Sequence, residues 1–133
     1  MSNPKILIVD DDKGIRSQLK WGLEGYDVIT ADSRVNALEQ FGLHHPPIVT
    51  LDLGLPPDAE GTTEGFATLK EILKKAPETK VVIVSGSMVS DNAERAISKG
   101  AFDYYSKPLE LTRLQQLITE AYADYKALSK NNN

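Results

Sequence analysis

At 133 residues and 14.6 kDa the chain has room for one domain around one hydrophobic core, not two. Its 41% apolar and 26% charged residues exclude a disordered chain, and the absence of cysteine excludes disulfides, thiolate metal sites and thiol catalysis. A net charge of −4 with a pI near 5.1 argues against direct nucleic-acid binding by this chain, and no apolar run is long enough to span a membrane.

Met1 to Lys5 lead straight into a strand-like run with no signal peptide, so a cytoplasmic location is expected. Ile6-Leu7-Ile8-Val9 is too short and too rich in β-branched residues for a helix and reads as a strand. Ile15, Leu19 and Leu23 then recur at helical spacing, with Asp12 as an N-cap and Gly25 as a stop. Asp27–Ala31 is a weaker strand. Ser33–Phe41 is a second helix with Ala37, Leu38 and Phe41 on one face, and His44-His45, followed by two prolines, reads as loop. Ile48–Leu51 is a strand. Phe66, Leu69, Ile72 and Leu73 mark a third helix ended by Ala76-Pro77, and Val81–Val84 is the next strand. Ser90–Lys99 is a fourth helix, Asp103–Ser106 a fifth strand, and Leu109 to about Ser129 the fifth and longest helix, before a frayed Asn131–Asn133. Strands that are apolar without alternation are covered on both faces. With strand and helix alternating five times, this predicts α/β architecture: a doubly wound five-stranded parallel sheet with five helices.

In such sheets ligands sit outside the carboxyl ends of the strands. There the first strand ends in Asp10-Asp11-Asp12, the third in Asp52, the fourth in Ser85-Gly86 and the fifth in Lys107-Pro108. Converging carboxylates repel, so either their pKa values rise or a cation neutralises them. Oxygen ligands without His or Cys favour a hard ion such as Mg²⁺. A lysine and a hydroxyl beside them suit a phosphoryl group, with a carboxylate as nucleophile.

The set ILIVDDD, VTLDLGLP, VVIVSG and YYSKP, in this order and spacing from Lys5 to about Tyr122, resembles the receiver domain of two-component response regulators. The resemblance implies a flavodoxin-like sheet of order 2-1-3-4-5. It implies that Asp52 accepts a phosphoryl group from a sensor histidine kinase. Asp11 would be the direct Mg²⁺ ligand, Asp10 would hold a metal-bound water, and Gly54 would give a backbone carbonyl. Ser85 would bond the phosphoryl oxygen, Lys107 would pair with the acceptor, and Tyr104 would be an aromatic switch. The output face would be the fourth helix, fifth strand and fifth helix, and Lys107-Pro108 would be a cis peptide aiming the lysine. Such a domain catalyses only its own phosphorylation and dephosphorylation and is a switch rather than an enzyme.

One departure stands out. Aligning Gly65 with the glycine that opens the third helix in typical receivers leaves a loop several residues longer, Leu55 to Glu64. The LGLPPD…TEG form resembles receivers at the N-terminus of NtrC-like sigma-54 activators, a subgroup associated with exopolysaccharide control.

Two rival readings have a place. Asp10-x-Asp12 superficially fits Asp-nucleophile phosphohydrolases, but Lys13-Gly14 follows it and the fourth strand supplies no acidic pair. A degenerate receiver used for contacts alone would lack an acidic position, and here all are filled. Asp12 reads as a cap before it reads as a metal ligand, and Asp58, Glu60 and Glu64 read as a solvated loop. Trp21 and Tyr105 read as packing residues. Leu114, Ile118, Ala121, Tyr125 and Leu128, spaced by four, three, four and three, form a heptad seam, so a homodimer through the fifth helix is expected, or a continuation into the chain's own effector domain if this is a fragment.

Overall fold

The computed structural model describes residues 3–86 and 91–131. Five strands alternate with five helices: β1 (Lys5–Val9), α1 (Lys13–Gly22), β2 (Asp27–Ala31), α2 (Arg34–His44), β3 (Ile48–Leu51), α3 (Thr63–Lys75), β4 (Lys80–Ser85), α4 (Asn92–Ser98), β5 (Asp103–Ser106) and α5 (Leu111–Asn131). All strands pair in parallel in the order β2-β1-β3-β4-β5.

The unbroken apolar strands work because each face of the sheet has its own cover. Leu7, Val9, Val49, Leu51, Val81 and Ile83 point to α2, α3 and α4 and pack with Ala37, Phe41, Leu69, Ile72 and Ala96. The alternate residues Ile6, Ile8, Val82 and Val84 meet Leu19 and Leu23 of the first αβ unit and Leu114, Ile118 and Ala121 of α5.

The helix ends refine the sequence reading. Asp12 is the N-cap of α1, its carboxylate accepting from the N–H groups of Gly14 at 2.8 Å and Ile15 at 3.2 Å. Ser33 caps α2 in the same way through the Asn36 N–H, at 3.2 Å. The histidines expected in a loop are not there: α2 runs through His44, and His45, at φ 47°, closes it by donating its N–H to the Phe41 carbonyl at 2.9 Å. The fourth helix is shorter than expected, and its predicted first residue, Ser90, lies outside the described residues. α5 includes Asn131, expected to be frayed, while Asn132 and Asn133 lie outside the described residues. Trp21, read as a packing residue, is 79% exposed, whereas Tyr105 is buried.

Candidate functional site

The register of the sheet assembles the site. β1 lies between β2 and β3, and Val9 pairs with Leu51, so Asp10 and Asp52 leave adjacent strands at the same level. Their backbones stay fastened to the neighbouring strands, the Asp10 N–H donating to the Ala31 carbonyl at 3.0 Å and the Asp52 N–H to the Val9 carbonyl at 2.9 Å. Across the sheet, Leu51 pairs with Ile83 and Ser85 with Ser106, and the Lys107 N–H donates to the Ser85 carbonyl at 2.9 Å. Four strand ends therefore deliver Asp10, Asp52, Ser85 and Lys107 to one edge. The Lys107-Pro108 bond is cis, as expected from sequence; Pro56-Pro57, for which no expectation was formed, is cis as well.

Asp10, Asp52 and Ser85 are buried, and Asp11 is exposed beside them. Carboxylate oxygens of Asp10, Asp11 and Asp52 lie within 4.8 Å of one another. Lys107 Nζ bridges two of them, at 3.0 Å from Asp10 Oδ2 and 3.4 Å from Asp52 Oδ2. The other Asp10 oxygen accepts from the Asp12 N–H at 2.9 Å, and the Gly54 N–H donates to Asp52 Oδ1 at 3.2 Å. The sequence reading did not single out Arg16, which donates to the Asp10 carbonyl at 2.7 Å and braces the turn from β1 into α1. Helical side chains lean toward the N-terminus, so a long donor one turn into α1 was the available signal.

Burial raises the Asp52 pKa to about 6, and the charge of Asp10 adds to this, while Lys107 and the Gly54 N–H pull it back. Burial also works against the Lys107 ammonium, but its hydrogen bonds and ion pairs with Asp10 and Asp52 prevail and hold its pKa above the usual lysine value. Three clustered carboxylates facing one ammonium suit a small hard cation, and the donor set contains only oxygen.

The long β3–α3 loop belongs to the site. Ala59, Glu60 and Gly61 border a cavity of about 330 Å³ together with Asp11, Asp52, Gly54, Ser85 and Lys107. Glu60 is exposed, as a residue of a solvated loop, and it also borders this cavity. Glu64 is not in the loop: it stands in the first turn of α3 and pairs with Arg34 of α2 at 3.2 Å. Gly65 opens α3 as the alignment expected, and no side chain fits there because a Cβ would enter the Leu53 backbone, against which the helix start lies. Tyr104 is half-buried against the core on the edge strand β5, three residues before Lys107.

Residues 6–119 match the family described as response regulator receiver domain. The chain belongs to the response regulator receiver family. Among relatives, it is 31% identical to the chemotaxis protein CheY of Listeria monocytogenes over 120 residues, covering 88% of this chain and 97% of that one. It is also 31% identical to the regulatory protein AtoC of Escherichia coli, covering 88% of this chain but 25% of AtoC. The crystal structure of NtrX from Brucella abortus superposes with a TM-score of 0.89 at 32% identity, over 98% of this chain and 29% of that one. Against AtoC and NtrX, then, this receiver spans only a quarter to a third of the length. It is a signalling domain of the response-regulator class.

Proposed function

We propose that Asp52 is the phosphoacceptor of this receiver and takes a phosphoryl group from the phosphohistidine of a sensor histidine kinase. The observation that carries this reading is the placement of its buried carboxylate within 3.4 Å of Lys107 and within 4.8 Å of the Asp10 and Asp11 oxygens. Asp11, Asp52 and the Gly54 carbonyl would hold Mg²⁺, with Asp10 as an outer partner. When bound, the ion supplies positive charge against both the acid cluster and the incoming phosphoryl oxygens. Lys107 offers a second positive charge to the same oxygens, and the Ser85 hydroxyl sits at the end of β4 to bond one of them once transfer has occurred. Transfer turns a carboxylate into a dianionic group with new acceptor oxygens, and Ser85 and Lys107 are the groups that reorganise around it. Tyr104 is the side chain that would carry the change to α4, β5 and α5, where a cavity of about 430 Å³ opens beside Arg113 and Glu120.

The whole of residues 1–133 acts in this reading as a single receiver domain, with a core from 5 to 122 and the end of α5 as its extension. Since AtoC and NtrX are three to four times as long, the fitting context is the receiver of a longer NtrC-like transcriptional regulator, working in the cytoplasm on its own effector domain. Among the described residues no helix is long and apolar enough to cross a membrane. Phosphorylation is expected to need Mg²⁺. Labelling by acetyl phosphate or a kinase should fall to background in excess chelator and return when Mg²⁺ is restored; undiminished labelling in chelator would overturn the metal assignment.

The fifth helix supports the dimer reading in part. Leu114, Ile118 and Ala121 are fully buried in the core, and Asp124 is still tied to the sheet through Lys80 at 2.8 Å, so α5 leaves the domain later than its sequence implied. Tyr125 stacks on Tyr122 at 6.2 Å, and Leu128 is exposed. A homodimer would use this last stretch, and two short helices associate weakly. Sedimentation equilibrium should show concentration-dependent dimer for this chain and none for the Tyr125→Lys, Leu128→Lys variant. Two monomers at high concentration would rule the seam out.

A further inference from the structure

We propose that Glu60 is an electrostatic filter on the acceptor pocket, disfavouring free dianionic phosphodonors against a phosphohistidine presented by a docked protein. The inference rests on the reading of Asp52 as phosphoacceptor. The loop carrying Glu60 is a folded wall. It is anchored by the fully buried Leu53 and Leu55, and it turns twice, the Asp58 N–H donating to the Leu55 carbonyl at 2.9 Å and the Gly61 N–H to the Asp58 carbonyl at 3.0 Å. Its Ala59 carbonyl occupies the space where a side chain at position 54 would stand, so the loop takes the place such a side chain would have beside the acceptor.

The loop also brings a charge to the border of the acceptor cavity. The three carboxylates of the cluster would be balanced by Lys107 and a bound divalent cation. Glu60, on the border of the same cavity and in no ion pair among the described residues, is the carboxylate left over. In transfer from acetyl phosphate, an Asp52 oxygen bonds to phosphorus while the P–O bond to the acetyl group breaks, and acetate leaves with the electron pair. That donor must bring two negative charges past Glu60 unaided. A phosphohistidine makes the same approach with the free energy of a protein interface behind it, which outweighs the repulsion of one partly solvated charge.

The test compares initial labelling rates of the wild type, Glu60→Gln and Glu60→Lys at saturating Mg²⁺ with two donors, dianionic acetyl phosphate and monoanionic phosphoramidate. At low ionic strength Glu60→Gln should label roughly three- to tenfold faster than wild type with acetyl phosphate, and the gain should shrink at about 0.5 M salt. Phosphoramidate should show a smaller gain, and Glu60→Lys a larger one with both donors. Glu60 is exposed, so neither substitution threatens folding. Unchanged rates in Glu60→Gln, or equal gains for both donors at every salt concentration, would overturn the filter while leaving Asp52 in place as acceptor. Labelling that persists in Asp52→Asn, or fails in every protein with both donors, would instead bring down the acceptor reading, and the filter with it.

Discussion

Asp52→Asn is expected to abolish phosphoryl transfer to this chain, by roughly a thousandfold or more, while Asp12→Asn leaves it intact. The two residues have similar chemistry and opposite circumstances. Asp52 is buried at the end of a central strand, its two oxygens facing Lys107 and the Gly54 N–H, and it belongs to the carboxylate cluster. An amide there is a poor nucleophile toward phosphorus and a poor ligand for a divalent ion, so both the bond to be formed and the charge that steers the donor are lost. Asp12 is exposed and spends one carboxylate oxygen on the first N–H groups of α1. Asparagine caps helices about as well as aspartate, so that substitution should cost little in stability either. Autoradiography after incubation with radiolabelled acetyl phosphate and Mg²⁺ distinguishes the two. Labelling of Asp52→Asn at the wild-type level would sink the acceptor assignment, and loss of labelling in Asp12→Asn would move Asp12 from cap to site.

What could be read in the sequence was what repeats locally or sits at a strand end. Ile6–Val9 and Val81–Val84 are apolar at every position because the sheet is covered on both faces, and that pattern alone gave the parallel architecture. Asp10, Asp52, Ser85 and Lys107 were legible because a charged or polar residue closing a buried strand is costly without a purpose. Trp21 was misread against evidence already present: it lies two residues after Leu19, and a step of two turns a helical side chain to the opposite face from the Ile15, Leu19, Leu23 stripe. His44 and His45 were placed outside a helix because prolines follow, yet the helix needs no breaker until Pro46, and a left-handed His45 can close it. The loop of Ala59 to Gly61 was beyond reach. Whether a Gly- and Pro-rich insertion points into solvent or folds back onto Gly54 depends on how the flanking Leu53 and Leu55 are buried and on the space an absent side chain leaves, and neither outcome can be read from the residue types alone.

The metal-free protein should lose stability as the pH rises from about 4 to about 6, and Asp52→Asn should remove most of that loss. Burial, reinforced by the charge of Asp10, raises Asp52 from an ordinary 3.8 to about 6 in the folded state. Between those values the folded chain holds a proton that the unfolded chain has released. Folding is therefore favoured at low pH and penalised once both states are ionised, the reverse of a carboxylate in a satisfied salt bridge. Two pH units correspond to at most about 3 kcal/mol. Asparagine at position 52 stays neutral throughout, so at pH 7.5 the variant should be about 1–3 kcal/mol more stable than the metal-free wild type, and at pH 4 nearly equal to it. For a domain of this size that is a rise in Tm of very roughly 3–12 °C. Added Mg²⁺ should close the gap from the wild-type side, because in the proposed reading it would bind the ionised cluster and not the unfolded chain, and it should do little for the variant. Thermal melts at both pH values, with and without Mg²⁺, check all four corners. A variant no more stable than wild type at pH 7.5 without Mg²⁺ would mean that Lys107 already compensates the buried charge in full, and that the cluster carries no strain for a cation to relieve.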